Sequence, residues 1–203
     1  MKKFLILILT ITLCSCATGK YNYLFDTGKR VDFNQGKWLL NKTESNSKVF
    51  DNELYDVSHN EFKEILGSSL IDMNELRMDK LIAPKIGFEL TSEELIQLGK
   101  DSECDFLINV KGSVVSNGAG TVSFSNGNGY QSASNQSSVA ILIYNLKTGT
   151  IVSSSQAIGK VTSENSHFDN DNGIPSINSS AETLMLKAAK KLIGKYDQYR
   201  LDK

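Results

Sequence analysis

Histidine and proline are nearly absent from this 203-residue chain, which has two of each. His59 and His167 are too few for a zinc site or a hydrolytic triad built on histidine. Cysteine is scarce as well. Of three residues, Cys14 and Cys16 end an N-terminal apolar run, and Cys104 stands alone. An internal disulfide framework is excluded, so the fold must rest on a packed core. Neither charge dominates: 22 Lys+Arg face 23 Asp+Glu, which leaves no electrostatic footprint for nucleic acid. The run Phe4–Leu13 falls short of the roughly 20 apolar residues a spanning helix needs. With little proline and 15 glycines, the chain is not of disordered composition, and its length suits one domain with a real core.

The N-terminus has a basic start (Lys2, Lys3), a short apolar stretch and then small residues, the pattern of a secretory signal. Its end, Leu13-Cys14-Ser15-Cys16, fits the bacterial lipoprotein box: Leu13 three before the cysteine, the small Ser15 just before it, then Cys16 itself. Cleavage before Cys16 would leave its thiol carrying a diacylglycerol and its new amine acylated, as with palmitate. Cys14 fits less well because Leu13 precedes it directly. Ordinary secretion with cleavage near Ala17, or a buried cysteine in an anchor helix, is the plain alternative. Ala17 stands where an inner-membrane retention signal would place Asp, and no acidic run follows. The expected location is therefore the periplasmic face of the outer membrane, held by lipid. Loss of Lys2 and Lys3 would leave a net charge near −3 on the mature form.

The sequence divides into a signal at 1–15, a lipidated tether at 16–36 and a single α/β periplasmic domain at 37–203. "KWLLNKT" predicts a first strand over Lys37–Thr43 with Trp38 and Leu40 on one face. Ser58-His59-Asn60-Glu61 has the form of a capping box opening a helix, although the apolar spacing extends back to Glu53. A second box, Thr91-Ser92-Glu93-Glu94, opens a shorter helix ending near Gly99. "CDFLINVKGSVV" reads as a strand with Phe106, Ile108 and Val110 on one face and Leu107 on the other. Cys104 before it reads as a small buried hydrophobe, with no basic neighbour to activate it. "SVAILIYNL" is apolar enough for a central strand. Lys147, Thr148 and Gly149 form a hairpin turn, with Gly149 at positive φ, and "TIVSSSQAIGKV" returns antiparallel. A final helix from Ala181 to Tyr196 carries an apolar stripe from Leu184 to Tyr196 opposite a lysine face. Helices alternating with blocks of strands predict an α+β or mixed α/β sandwich, a sheet with packed helices and a C-terminal amphipathic helix.

Other patterns point to chemistry and are better read as structure. Lys147-Thr148-Gly149 and Ser45-Asn46-Ser47-Lys48 mimic motifs of penicillin-binding enzymes, but no S-D-N occurs and Ser45 lies in a polar run. "DNDNG" (169–173) misses the glycine and glutamate positions of a calcium loop. No cofactor or metal is expected, and no enzyme.

The succession of a Gly-terminated helix, "CDFLINVKGSVV", a Gly/Ser/Asn-rich insertion at 116–136, "SVAILIYNLKTGTIVSSSQ" and an amphipathic C-terminal helix resembles the curli secretion-channel (CsgG-like) superfamily. That superfamily also holds lipoprotein activators of peptidoglycan synthases. The resemblance spans roughly 38–196 and implies a periplasmic domain similar to the N-terminal domain of the translocation protein TolB. It implies assembly or protein binding in the cell envelope, with a membrane, an envelope protein or further copies of the chain as partners. In channel relatives the position of Ser116–Gln136 holds a membrane hairpin. Here the outward set would be Val122, Phe124 and Tyr130 with Ala119 and Ala133, too little for two lipid-facing arms. The connection from Ser163 to Ser180 is more polar still. The expectation is an accessory lipoprotein whose 116–136 segment is a periplasmic hairpin extension. The alternative is a subunit of an oligomeric outer-membrane channel.

Overall fold

Trp38, Leu39 and Leu40 are all fully buried, as in a strand covered on both faces. In a computed structural model that describes residues 19–117, 123–124, 130–166 and 179–202, these three residues are strand β2, inside an eight-stranded sheet. In chain order the elements are β1 (Lys20–Leu24), β2 (Trp38–Leu40), β3 (Glu44–Ser45), α1 (Asp51–Leu66), β4 (Leu70–Asp72), α2 (Met73–Asp79), α3 (Ser92–Ser102), β5 (Phe106–Ser116), β6 (Ser123–Phe124), β7 (Tyr130–Asn145), β8 (Thr150–Ser166) and α4 (Ala181–Tyr199).

The main path across the sheet is β1-β8-β7-β5-β2-β4. β2 runs parallel to β4 and β5, and the β5-β7-β8-β1 side is antiparallel. From β2 the chain steps one way to β4 through α1, then back past β2 to β5 through α2 and α3. Crossovers of one hand place helices on opposite faces when the direction reverses. Leu54, Phe62 and Leu66 of α1 accordingly share a core with Trp38, Leu40 and Ile108. Met73, Leu76, Leu95 and Leu98 of α2 and α3 cover Leu39 and Leu107 on the other side. The mixed α/β class and the C-terminal amphipathic helix follow the sequence pattern. Every stripe residue of α4 from Leu184 through Tyr196 that the spacing singles out is buried, each large one contributing about 1.5–3 kcal/mol.

Several local expectations change. Of the tether expected at 16–36, residues from Lys20 onward are folded in: β1 pairs antiparallel with β8, and Phe25, Val31 and Phe33 are buried with the main core. Ser58 does not cap a helix. It sits within α1, where its hydroxyl donates to the Leu54 carbonyl at 2.7 Å; the helix begins at Asp51, with Asp51 and Glu53 in its first turn. His59 is mid-helix too, its ring stacked on Tyr55. The Thr91–Glu94 capping box is present on both sides. Its helix does not stop at Gly99 but runs to Ser102 and ends at Glu103 in the left-handed region. Gly99 serves close approach, since a Cβ there would lie 3.0 Å from the Leu146 carbonyl oxygen and from its Cβ.

The turn between β7 and β8 is organised by Asn145, whose Oδ1 accepts from the amides of Lys147 (2.9 Å) and Thr148 (3.0 Å). Gly149 follows at φ 66°, and its carbonyl accepts from the Ser92 hydroxyl at 2.8 Å. Gly149→Ala is expected to cost about 1–2 kcal/mol for the left-handed backbone. The new Cβ would also sit 2.7 Å from the Ser92 carbonyl oxygen. A urea titration checks this as a lowered midpoint with unchanged slope; an unchanged midpoint would mean the turn relaxes freely.

Candidate functional site

On the α3 side of the sheet, an irregular segment from Lys80 to Leu90 is fastened by side chains rather than by strand pairing. The side-chain Nδ2 of Asn41 donates to the Ile86 carbonyl at 3.0 Å. Asn109 donates to the Gly87 and Phe88 carbonyls at 3.0 and 2.8 Å, and the Tyr144 hydroxyl reaches Phe88 at 3.1 Å. At the far end, one nitrogen of Arg77 donates to both the Ala83 and Pro84 carbonyls, at 2.7 and 2.9 Å. Lys111 adds a cation over the Phe88 ring at 5.4 Å. Burial, reinforced by the Glu89 carboxylate, pushes the Tyr144 phenol above its ordinary value, so it stays protonated as a donor.

Asn41 and Asn109 are 3 % and 1 % exposed. Polar groups so deep cost free energy unless paired, and here the side-chain nitrogens of both pair with a loop, not with the sheet, while the Asn109 Oδ1 has no partner among the described residues. The sequence places them by a short repeat: Trp38-Leu39-Leu40-Asn41 and Phe106-Leu107-Ile108-Asn109. β2 and β5 align these in register from Trp38 opposite Phe106 to Leu40 opposite Ile108. The two asparagines come one step later, side by side beneath the same loop.

The fastened loop and α3 enclose an open groove of about 500 Å³. Ile86, Leu90 and Leu98 give it an apolar lining, and Glu93, Glu94 and Asp101 stand along the α3 wall. The Glu94 carboxyl is held below its usual range by the Thr91 amide and hydroxyl. Lys85, the one cation among the lining residues, lies 3.8 Å from Glu44. Just before this wall, Met78 and Leu81 are 84 % and 100 % exposed. The result is an apolar trough with a charged rim, the general form of many ligand sites. A smaller hollow beside Tyr55 is structural, since the Tyr55 hydroxyl donates to Asp72 at 2.6 Å while Asp72 caps α2.

The residues singled out from sequence are not gathered here. Leu13, Ser15 and Cys16 lie outside the described residues, as do His167 and Asp169–Gly173. Lys147, Thr148 and Gly149 occupy the turn between β7 and β8, touching the start of α3 through Ser92. Ser45 pairs with Gly112 of β5, whereas the Lys147 turn lies beyond Phe106, six residues along that strand and so roughly 20 Å away. The two motifs are therefore not brought together, and the Ser45 hydroxyl lies 2.8 Å from the Ser47 carbonyl and 2.6 Å from the Asp51 carboxylate. Cys104 is buried, and burial pushes its thiol up. Among the described residues, no group of three or more His, Cys, Asp or Glu is placed to hold a metal ion, and no helix is long and apolar enough to cross a membrane.

Within the 116–136 insertion, β5 continues to Ser116, Ser123–Phe124 pairs with Gln131 and Ser132, and β7 starts at Tyr130; the rest lies outside the described residues.

No family model matches the chain, and no curated protein matches it. Similar solved structures include a PelC dodecamer from Paraburkholderia phytofirmans, at 9% identity over 88% of this chain and 97% of that one, TM-score 0.46. The hypothetical protein CT253 from Chlamydia trachomatis is similar at 10% identity over 81% and 97%, TM-score 0.40. Lipoprotein GNA1162 from Neisseria meningitidis is similar at 11% identity over 79% and 99%, TM-score 0.34.

Proposed function

We propose that the chain is a lipoprotein anchored through Cys16 to the periplasmic face of the bacterial outer membrane. It acts without catalysis as an accessory or assembly factor that binds another envelope protein. The observation that carries binding is the loop at 83–88, five of whose carbonyls are taken by side chains of Arg77, Asn41, Asn109 and Tyr144. Donors committed to shaping a surface loop, three of them from the buried Asn41, Asn109 and Tyr144, favour a preformed recognition surface over a mere connection. The anchor rests on Leu13-Cys14-Ser15-Cys16, and acylation at more than one position makes such anchoring stable. The resemblance to curli-channel relatives supports an envelope role.

Radiolabelled palmitate should label the wild type and not Cys16→Ser; equal labelling refutes the anchor. A photo-crosslinking residue at Gln97, on the groove wall, should capture an envelope polypeptide in cells, while one at exposed Lys63 on α1 should not. Absence of any adduct at Gln97 refutes the binding reading.

A channel subunit is the second reading, favoured by the length of β7 and β8, 16 and 17 residues, against the 9–11 a membrane strand needs. Yet the distal part of β7, Tyr130-Gln131-Ser132-Ala133-Ser134-Asn135-Gln136, offers lipid no apolar alternate set. Ion conductance of the purified protein in a planar bilayer would establish the channel and displace the accessory role.

A further inference from the structure

We infer that the groove between α3 and the 83–90 loop receives a cationic amphipathic helix of a partner polypeptide. The inference rests on the binding role proposed above and specifies its partner. Three features select this occupant. The first is charge. Glu93, Glu94 and Asp101 line one wall, Glu94 is kept ionised by its cap, and Lys85, the cation of the opposite wall, leans toward Glu44. A ligand bringing Lys or Arg to that rim gains complementarity that an acidic one lacks. The second is the apolar floor of Ile86, Leu90 and Leu98, which rewards large aliphatic side chains and not charge alone.

The third feature is the state of the backbone. An extended peptide binds by adding main-chain hydrogen bonds to an open edge. In this loop the carbonyls of Ala83, Pro84, Ile86, Gly87 and Phe88 already accept from side chains, and Pro84 has no N–H to give. The opposite wall is α3, whose backbone is used internally. A helix satisfies its own main chain and needs only side-chain contact, so it suits this trough. From Glu93 to Asp101 the wall extends roughly 12 Å, at 1.5 Å per helical residue, enough to face about two turns of a partner. The partner's pattern is then aliphatic residues at i, i+3, i+4 and i+7, flanked by lysine or arginine.

The test uses the full chain in nonionic detergent and a fluorescein-labelled synthetic peptide with leucine at those positions and lysine elsewhere, followed by anisotropy. Saturable binding is expected. It should weaken at least tenfold in the double variant Glu93→Lys/Asp101→Lys, whose substituted side chains are exposed and whose Trp38 emission should not change. The same variant should gain affinity for a peptide with glutamate in place of lysine. Equal curves for wild type and variant, no saturation, or undiminished binding of a serine-for-leucine peptide would each overturn the inference. An adduct at Gln97 in cells together with any of those results would leave the binding role standing and remove the cationic helix as its ligand.

Discussion

Replacing Phe33 with alanine is expected to lower the free energy of unfolding by about 3–5 kcal/mol, the range for truncating a fully buried aromatic. Phe33 is 3 % exposed. Its ring centroid lies 4.9 Å from that of Trp38 and 6.1 Å, edge-on at 88°, from that of Tyr196. Trp38 in turn stacks on Phe106 at 4.3 Å, and the Tyr196 hydroxyl bonds Ser153 of β8 at 2.9 Å. Removing the Phe33 ring opens a void at the point where the N-terminal segment, β2 and α4 meet. The neighbouring rings are held by strands and by that hydrogen bond, so little collapse can fill the void. The chain has a single tryptophan, fully buried, so a urea titration read by its emission reports this core directly. The midpoint should fall and the slope should stay. A midpoint equal to wild type would mean that the segment before β2 is a tether after all.

That segment shows what the sequence hides. Tyr21, Tyr23 and Phe25 alternate with Lys20, Asn22 and Leu24, but six residues of alternation are too few to tell an edge strand from a leader. Pairing with β8, more than 130 residues later, settles it. The long elements were legible for the opposite reason. β5, β7 and α4 repeat their period often enough that Ile108, Ile141 and Leu192 fall on the covered faces. Ser58 and Gly99 mislead because the same residue types have two uses. Serine bonds back to i−4 inside a helix as readily as it caps one, and glycine permits close packing as well as termination. The groove was not legible as a whole: its walls, the 83–90 loop and α3, are neighbours in the chain, but the loop has no period of its own and is shaped by Asn41, Asn109 and Tyr144 from distant strands. One signal for it went unread: the repeated aromatic-Leu-aliphatic-Asn of β2 and β5, which sets within each apolar run a residue that strands disfavour. Two such runs in parallel neighbours predict two asparagines at one depth, and the structure gives them a common loop.

Asn109→Leu should release that loop. Leucine has the same branched skeleton as asparagine but donates nothing, and its bulkier methyl groups leave no space for a replacement water. The carbonyls of Gly87 and Phe88 lose their donor, and an unpaired buried group costs about 1–3 kcal/mol. Phe88 keeps the Tyr144 hydroxyl, and Ile86 keeps Asn41, so one full carbonyl and part of another are lost, about 2–3 kcal/mol. Two outcomes compete for that cost. Either the whole domain is destabilised by it, or the loop lifts to reach water and the cost becomes a local opening. The second is favoured because Ala83, Pro84, Lys85 and Glu89 are already exposed, so lifting uncovers little beyond Ile86 and Phe88. Trypsin separates the two. The bond after Lys85 lies within the fastened stretch and resists a protease that needs an extended, mobile substrate. Where cleavage follows the open population, 2–3 kcal/mol corresponds to roughly a 30- to 150-fold faster cut, at 1.4 kcal/mol per tenfold. The fragment masses identify the site, and Trp38 emission should report a folded core throughout. Unchanged cleavage after Lys85 would show that the asparagine does not hold the loop. Accelerated cleavage with loss of peptide binding would tie the groove's affinity to its preformed wall, since an occupant that must first order the loop forfeits that ordering cost from its own binding energy.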